Sequence, residues 1–287
     1  MAHRDTPQQG GGAAGRLERS WRLARIAWSV LAAQRLLLVI ALGTTLAAFV
    51  VAIATVAAGH LWVRPEQSLL ARPQGLMWLV WLGALLLGTW VATVGQGLVV
   101  AGAGDHMAGR TVSVTGTWAA VRGRLRVLFA WAGLEVGALG LLDQARQHLP
   151  GGGRIVELVG QVAFRVAAFL VLPVVVFERT GAVEGLRRSA RLLRATWGEN
   201  LALNAGLGGL SLIAMAPAFV FAVWAGVTGA LALPVTLAVA MAWLLLVQGL
   251  VAALTAVLQT GLYRWAHGLS TARGFSERDL HEALLRG

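Results

Sequence analysis

Cysteine and lysine are both absent from this chain of 287 residues, and tyrosine occurs only once. The absence of cysteine excludes disulfides, thiolate metal ligands and cysteine nucleophiles. Charged residues are also scarce, at 13% of the chain, whereas a soluble domain carries about a quarter. The sequence therefore lacks the charge density of a soluble protein.

Hydrophobic residues instead make up 57% of the chain and form six long apolar segments. About 20 apolar residues cross a hydrocarbon core as a helix, which satisfies its own backbone hydrogen bonds. The sequence therefore predicts an all-α fold, a polytopic membrane helix bundle with a transmembrane domain at 36–262. The six predicted spans are residues 36–58, 76–100, 125–142, 155–177, 201–227 and 233–262.

The 24 arginines lie mainly in alternate connections between these spans. Nineteen lie before span one, after spans two and four, or after span six, and four lie in the other two connections. Because cytoplasmic connections collect arginine, the pattern predicts a multi-pass protein of a bacterial or archaeal plasma membrane with both termini in the cytoplasm. The same placement favours anionic membrane lipids as partners and argues against nucleic acid as the reason for the net charge of +11.

Two segments share the pattern Arg-Ser-x-Arg-Leu-x-Arg-x-x-Trp, and each precedes a span that enters from the cytoplasm. Helical spacing places the arginines opposite apolar residues, which predicts amphipathic interfacial helices at 15–35 and 182–198. A weaker third copy near Trp118 raises the hypothesis of an internal repeat, and the alternative is ordinary enrichment of Arg and Trp before a span. The candidate lipid-binding or partner-binding residues are Arg19, Arg22, Arg25, Trp28, Arg188, Arg191, Arg194 and Trp197.

The two ends of the chain have a different character from the apolar middle. Residues 1–14 are polar and rich in glycine, which predicts a disordered tail. Residues 263–287 are expected to form a cytoplasmic tail, in which Ser276 and Asp279 resemble a capping box that starts a short helix.

Two stretches carry a resemblance to known proteins, ERSWRLARIAWSVLAAQRLLLVIALG near the start and VLPVVVFERTGAVEGLRRSARLLRATWGEN in the centre. Together they resemble a prokaryotic family of uncharacterised six-span membrane proteins, which implies a fold and a location but no activity. The centre is also similar to the membrane domain fused to some glycerophosphodiester phosphodiesterases, whose catalytic barrel has no counterpart here. The shared residues are Pro173, Glu178, Gly181, Ser189, Trp197 and Gly198.

Four polar residues in spans three and four form a candidate intramembrane site. Glu135 and Arg165 lie near the middle of consecutive spans, where either charge alone costs ~2.5–3.5 kcal/mol or more, so an ion pair between them is expected. Gln161 and Glu157 lie one and two turns from Arg165 on the same face. The site is interpreted either as a structural pair or as a binding site for a polar substrate, an anion or a proton.

Other polar residues receive structural interpretations. Glu178 is expected to bond to Arg188, and Gly181 to allow the turn between them. Polar groups in other spans are added by Gln96, Gln248 and Gln259. Additional groups of a polar site and interhelical hydrogen bonds explain them equally well.

No catalytic, metal-binding or cofactor-binding pattern is found in the sequence, and the six histidines lack metal-ligand spacing. The leading hypothesis is a non-enzymatic membrane component that organises lipids or a partner membrane protein through its basic helices. The alternative is a transporter or permease for a small amphiphile or ion, with Glu135 and Arg165 at its site.

Overall fold

The computed structural model describes residues 25, 27–62, 74–148, 153–197, 207–229 and 232–269, and all regular structure in these residues is helical. Residues 27–33 form a short helical segment that Gln34 separates from the first long helix. The helices that follow are α1 (Arg35–Trp62), α2 (Gln74–Met107), α3 (Val114–Arg122), α4 (Leu125–His148), α5 (Gly153–Ala168), α6 (Val171–Phe177), α7 (Ala182–Trp197), α8 (Leu207–Thr228) and α9 (Leu233–Ala266).

Five described stretches are long and apolar enough to cross a membrane, which indicates a membrane protein. They correspond to predicted spans one, two, three, four and six. Several helices extend past the predicted ends, because polar residues such as Asp105 and Asp143 continue the helix where the apolar run stops. The five stretches are Arg35–Leu61, Met77–Met107, Leu125–His148, Gly153–Phe177 and Leu233–Ala266.

The predicted span 155–177 is a broken helix, in which Phe169 and Leu170 separate α5 from α6. Pro173 follows in the first turn of α6, where its ring would crowd the carbonyl four residues earlier in a continuous helix. The backbone N–H of Leu170 donates to the hydroxyl of Ser189 in α7, at 3.0 Å. A neighbouring helix therefore supplies a hydrogen bond at the break.

The predicted fifth span, 201–227, corresponds to α8, and its first six residues lie outside the described part of the chain. The helix continues through Pro217. The apolar stretch with described side chains, Ala214–Thr228, is shorter than a full span. The indole N–H of Trp243 donates to the carbonyl of Ala214 at 3.0 Å and joins α8 to α9.

The predicted interfacial helices and tails are covered unevenly. Within the prediction at 15–35, residues 27–33 are helical and 15–24 lie outside the described residues. The prediction at 182–198 corresponds to α7, and the short α3 lies before α4 near the weaker third copy. α9 continues to Ala266, past the predicted start of the tail at 263, and residues 1–14 and 270–287 of the predicted tails lie outside the described residues.

The best-buried core lies at one end of the bundle, where α1 begins and α2, α6 and α9 end. Leu37, Met107 and Val175 are fully buried there. The rings of Phe177 and Tyr263 stack with their centroids 5.4 Å apart and join α6 to α9. We call this region the basic end, since five arginines surround it: Arg110, Arg124, Arg179, Arg188 and Arg264.

Away from the basic end, large apolar side chains point outward. Leu61, Trp78 and Val227 are each at least 74% exposed. Water-soluble proteins rarely expose contiguous apolar patches of this kind. The outer surface of the bundle is therefore suited to hydrocarbon surroundings.

Candidate functional site

The four residues predicted to form an intramembrane site lie on α4 and α5. Glu157 is held at one side, where its carboxylate accepts a hydrogen bond from Gln161 at 3.0 Å and forms an ion pair with Arg146 at 3.2 Å. Gln161 and Glu157 are thus brought together as their spacing on one helical face predicts. The Arg146 contact joins the end of α4 to the start of α5 and was not anticipated.

Glu135 and Arg165 lie at matching depths but do not touch. At 1.5 Å per residue, they lie about 20 Å and 18 Å from the connection between α4 and α5. Arg165 is close enough to act on Glu135 electrostatically, yet neither residue forms an ion pair within 4.0 Å in the described part of the chain. Arg165 is exposed while Glu135 is half-buried, so the direct ion pair expected from the sequence is wrong for this structure.

A second polar cluster, the Glu178 cluster, lies at the basic end and is fully formed. One carboxylate oxygen of Glu178 accepts from Arg188 Nε at 2.5 Å, which confirms the expected contact. The other oxygen accepts from the hydroxyl of Tyr263 at 3.2 Å and lies 3.3 Å from Nε2 of His267. The Glu178 side chain is only 17% exposed, so this carboxylate is satisfied inside the protein.

Tyr263 and His267 were not recognised as part of this cluster from the sequence. They lie one turn apart at the end of α9, and their rings are 4.3 Å apart. The sequence feature that could have indicated Tyr263 is that it is the single tyrosine of the chain and lies at the end of an apolar segment. A buried tyrosine hydroxyl needs a hydrogen-bond partner, and Glu178 is that partner.

The turn after Glu178 is made by a residue other than the one predicted. Gly181 does not have a positive φ, whereas Arg179 has φ +59° and occupies the left-handed region. The carbonyl of Arg179 accepts a hydrogen bond from Arg124 Nη1 at 3.1 Å, which holds the strained residue against the start of α4. The expectation for Gly181 was wrong because the direction changes two residues earlier.

Ser189 in the repeated motif has an internal role. Its side chain is completely buried and accepts the hydrogen bond from Leu170 at the break between α5 and α6. One face of α7, with Ala182, Gly185 and Leu193, packs inward beside it. Ser189 of the motif and the neighbouring small and apolar residues therefore fix α7 to the bundle.

The arginines of the motif lie on the surface of α7, apart from the partly buried Arg188. Arg191 pairs with Glu184 at 2.7 Å, with 65% and 49% of the two side chains exposed. Arg194 is also exposed. In the first copy, Arg25 is exposed and Trp28 is 48% exposed. Arg19, Arg22 and the side chain of Trp197 lie outside the described residues.

The two polar clusters differ from a metal centre in the grouping of their side chains. In the described part of the chain, no three His, Asp or Glu side chains are grouped as a metal site requires. The Glu178 cluster joins the α6–α7 turn to the end of α9, and the exposed arginines present positive charge around it. The arrangement is suited to holding helices together and to attracting anions.

The fold and these clusters define the class as a helical-bundle membrane protein. Residues 91–276 match a family of unknown function (DUF6159), and the chain belongs to that family. The match starts within α2 and includes both the Glu178 cluster and the α4–α5 polar residues. Neither the curated proteins nor the solved structures provide a match to this chain.

Proposed function

We propose that this protein is a non-enzymatic component of the plasma membrane that binds anionic lipid headgroups through its basic end. The observation that carries the proposal is the surplus of exposed arginine there. The described acidic residues of this end are already paired, as Asp105 is with Arg110, Glu178 with Arg188 and Glu184 with Arg191. Among the described arginines of this end, those that are exposed without such a pair are Arg25, Arg35, Arg122, Arg126, Arg179, Arg187 and Arg194.

Two exposed tryptophans support the same orientation. Trp28 is 48% exposed and Trp118, on α3, is 45% exposed. Tryptophan is favoured at the boundary between headgroups and hydrocarbon, and arginine is favoured next to an anionic leaflet. The short helices before α1, α4 and α8 would then lie along this boundary, as three interfacial units of an internal repeat.

The proposal includes six spans with both ends of the chain on the cytoplasmic side. α7 packs at the basic end, and α9 runs back to that end from the opposite one. A sixth span between α7 and α9 would connect these two ends. α8, with 22 residues and a length of about 33 Å, is long enough to make that crossing.

The topology can be tested with single cysteines, because the natural chain has none. We expect His148→Cys, at the end of α4, to react with a membrane-impermeant maleimide in intact cells. Thr111→Cys, between α2 and α3, should react only after lysis. Labelling of Thr111→Cys in intact cells, or equal labelling of both, would contradict the proposed orientation.

Lipid binding can be tested by removing exposed arginines that lack an ion pair. The full chain is placed in nanodiscs of mixed phosphatidylglycerol and phosphatidylcholine, and retained lipids are counted by native mass spectrometry. Each arginine contributes ~1 kcal/mol near an anionic leaflet, so Arg187→Gln with Arg194→Gln should weaken phosphatidylglycerol binding by about fivefold per residue. The matched control is Arg146→Gln with Arg154→Gln at the opposite end of the bundle.

Three outcomes decide this test. Equal retention by all variants would overturn the proposal, as would an equal loss in the control. If the arginine variant retains lipid normally but no longer cross-links to a protein in native membranes, the basic end binds a partner membrane protein instead of lipid.

The transporter hypothesis receives less support. It requires a cavity at the level of Glu135 and Arg165 that both residues line. Two well-formed recesses among the described residues are lined by other side chains, on α8 in one case and on α1, α2 and α9 in the other. Neither recess includes Glu135 or Arg165 in its wall.

A further inference from the structure

A recess with polar groups in its wall opens between α1, α2 and α9. Its volume is about 210 Å³. The polar side chains of this wall are Thr44 and Thr45 on α1, Gln96 on α2 and Gln248 on α9. Each lies at least two helical turns inside its helix. The remaining wall is made mainly of small or aliphatic side chains: Ala41, Ala48, Ala92, Val99, Leu245 and Ala252.

The two amide groups in this wall are not satisfied by the protein. Among the described residues, neither Gln96 nor Gln248 has a hydrogen-bond partner, so the interhelical bond expected from the sequence is not formed. A polar group left unpaired in hydrocarbon is costly, because no water replaces the missing partner. The recess therefore presents two amide donors and acceptors at a depth where other partners are scarce.

The hydroxyls beside the amides add acceptors. Thr44 donates to the carbonyl of Ile40 at 2.8 Å, and Thr45 donates to the carbonyl of Ala41 at 2.8 Å. Each hydroxyl has thereby used its proton, and its oxygen can still accept a hydrogen bond. A Cβ on Gly95 would overlap the Thr44 side chain, so this glycine allows α1 and α2 to approach closely beside the recess.

The recess is accessible from the outer surface of the bundle. Gln248 is exposed, whereas Gln96 is half-buried, so the opening lies on the α9 side. No charged side chain lines the wall. A ligand that enters here comes from the lipid phase, and its polar part is neutral, because an anionic phosphate would find no arginine.

We propose that this recess binds the neutral head of a lipid that carries both a hydroxyl and ester carbonyls, as a diacylglycerol does. The volume equals about seven water molecules at ~30 Å³ each, which accommodates a glycerol with its esters. The amide N–H groups donate to the ester carbonyls, and one amide or threonine oxygen accepts the single proton of the hydroxyl. This inference rests on the proposed placement of the helices in a bilayer.

The test uses the full chain in phosphatidylcholine nanodiscs that contain a small fraction of a photoreactive, alkyne-tagged diacylglycerol. We expect labelled peptides from α1, α2 and α9, and competition by unlabelled diacylglycerol. Gln96→Leu with Gln248→Leu removes the two amides and should lower labelling by about fivefold to tenfold. The same variant should unfold at a higher temperature in nanodiscs without diacylglycerol, because two unpaired polar groups are removed.

The controls separate binding from folding. Gln144→Leu with Gln147→Leu, at the exposed end of α4, should leave labelling unchanged. Ala252→Phe introduces a ring into the recess and should also abolish labelling while helicity is retained. If either recess variant keeps its helicity and full labelling, or if phosphatidylcholine competes as well as diacylglycerol, the proposal is wrong.

This outcome is independent of the proposed role of the basic end. The glutamine variants should retain phosphatidylglycerol normally, and the Arg187 and Arg194 variants should still be labelled by the diacylglycerol probe. If the recess variants lose labelling while all arginine variants retain phosphatidylglycerol equally, the recess stands and the basic-end proposal is overturned. If the recess variants keep full labelling while the arginine variants lose phosphatidylglycerol, the basic-end proposal stands and the recess proposal is overturned.

Discussion

Two acid–base pairs of this protein behave in opposite ways. Glu178 and Arg188 are 2.5 Å apart, and the carboxylate has further partners in Tyr263 and His267. Glu135 and Arg165 lie at the same depth of consecutive helices, yet they form no contact within 4.0 Å in the described chain. Both pairs consist of an acidic and a basic side chain, but only Glu178 and Arg188 form an ion pair.

The difference lies in what brings each pair together: a short turn in one case, and the relative rotation of two long helices in the other. Ten residues separate Glu178 from Arg188, and the turn between α6 and α7 brings them together. The contact between Glu135 and Arg165 depends instead on the rotation of α4 and α5 about their own axes. A rotation of one residue position, about 100°, turns a side chain from the interior to the surface. Equal depth is therefore not enough to predict a contact.

The largest effect on stability is expected from breaking the ion pair between Glu178 and Arg188. Glu178→Gln removes the charge that satisfies Arg188 and His267, and the free energy of unfolding should fall by about 2 kcal/mol. Fully buried pairs lose ~3–5 kcal/mol, and the value is lower here because 43% of the Arg188 side chain is exposed. The measurement is denaturant-induced unfolding in bicelles.

Glu184→Gln provides the matched control for this substitution. It breaks the exposed pair with Arg191 and should cost ~0–1 kcal/mol. Equal effects of the two substitutions would show that the Glu178 cluster contributes no more than a surface ion pair.

A smaller effect is expected at Ser189. Ser189→Ala leaves the N–H of Leu170 unsatisfied at the break between α5 and α6, and the expected cost is about 1 kcal/mol, the lower end of the ~1–3 kcal/mol range for a buried donor, because no charged group loses its partner. The substitution should also detach α7, visible as faster amide hydrogen exchange in residues 182–194. Thr115→Ala, on the exposed face of α3, should change neither quantity.

Much of the architecture could be predicted from the sequence. Long apolar segments must satisfy their own backbone hydrogen bonds in lipid, which predicts helices. Five described stretches are long and apolar enough to be membrane spans. The break before Pro173 was not predicted, because it depends on Ser189, 19 residues away, which supplies the hydrogen bond. Pro217 lies in a continuous helix, so proline alone does not determine the outcome.

The candidate sites were predictable only where the contact is local. The contacts of Glu178 with Arg188 and of Glu157 with Gln161 follow from a turn and from helical spacing. The contact of Tyr263 with Glu178 spans 85 residues and requires α6 and α9 to meet at the basic end. Sequence patterns describe one helix at a time, and this meeting is a property of the packed bundle.

The interaction between Glu135 and Arg165 can be tested with a double-mutant cycle. Glu135→Gln and Arg165→Gln are combined, and the coupling energy is obtained from unfolding in bicelles. Since the groups interact at a distance without a hydrogen bond, we expect a coupling below ~1 kcal/mol. A coupling above ~2 kcal/mol would mean that the pair closes in a bilayer, and the transporter hypothesis would then regain its site.

The smallest effect on stability, and the sharpest contrast with Glu178, is expected at Arg191. Its pair with Glu184 is exposed, so Arg191→Ala should change the free energy of unfolding by no more than ~0.5 kcal/mol. Phosphatidylglycerol retention should nevertheless fall about fivefold, because the substitution leaves Glu184 as an unpaired negative charge on the proposed lipid-facing surface. Glu178→Gln should show the reverse, with lower stability and normal retention in the molecules that remain folded. A loss of stability at Arg191 without a loss of lipid would assign the exposed arginines of α7 to the fold.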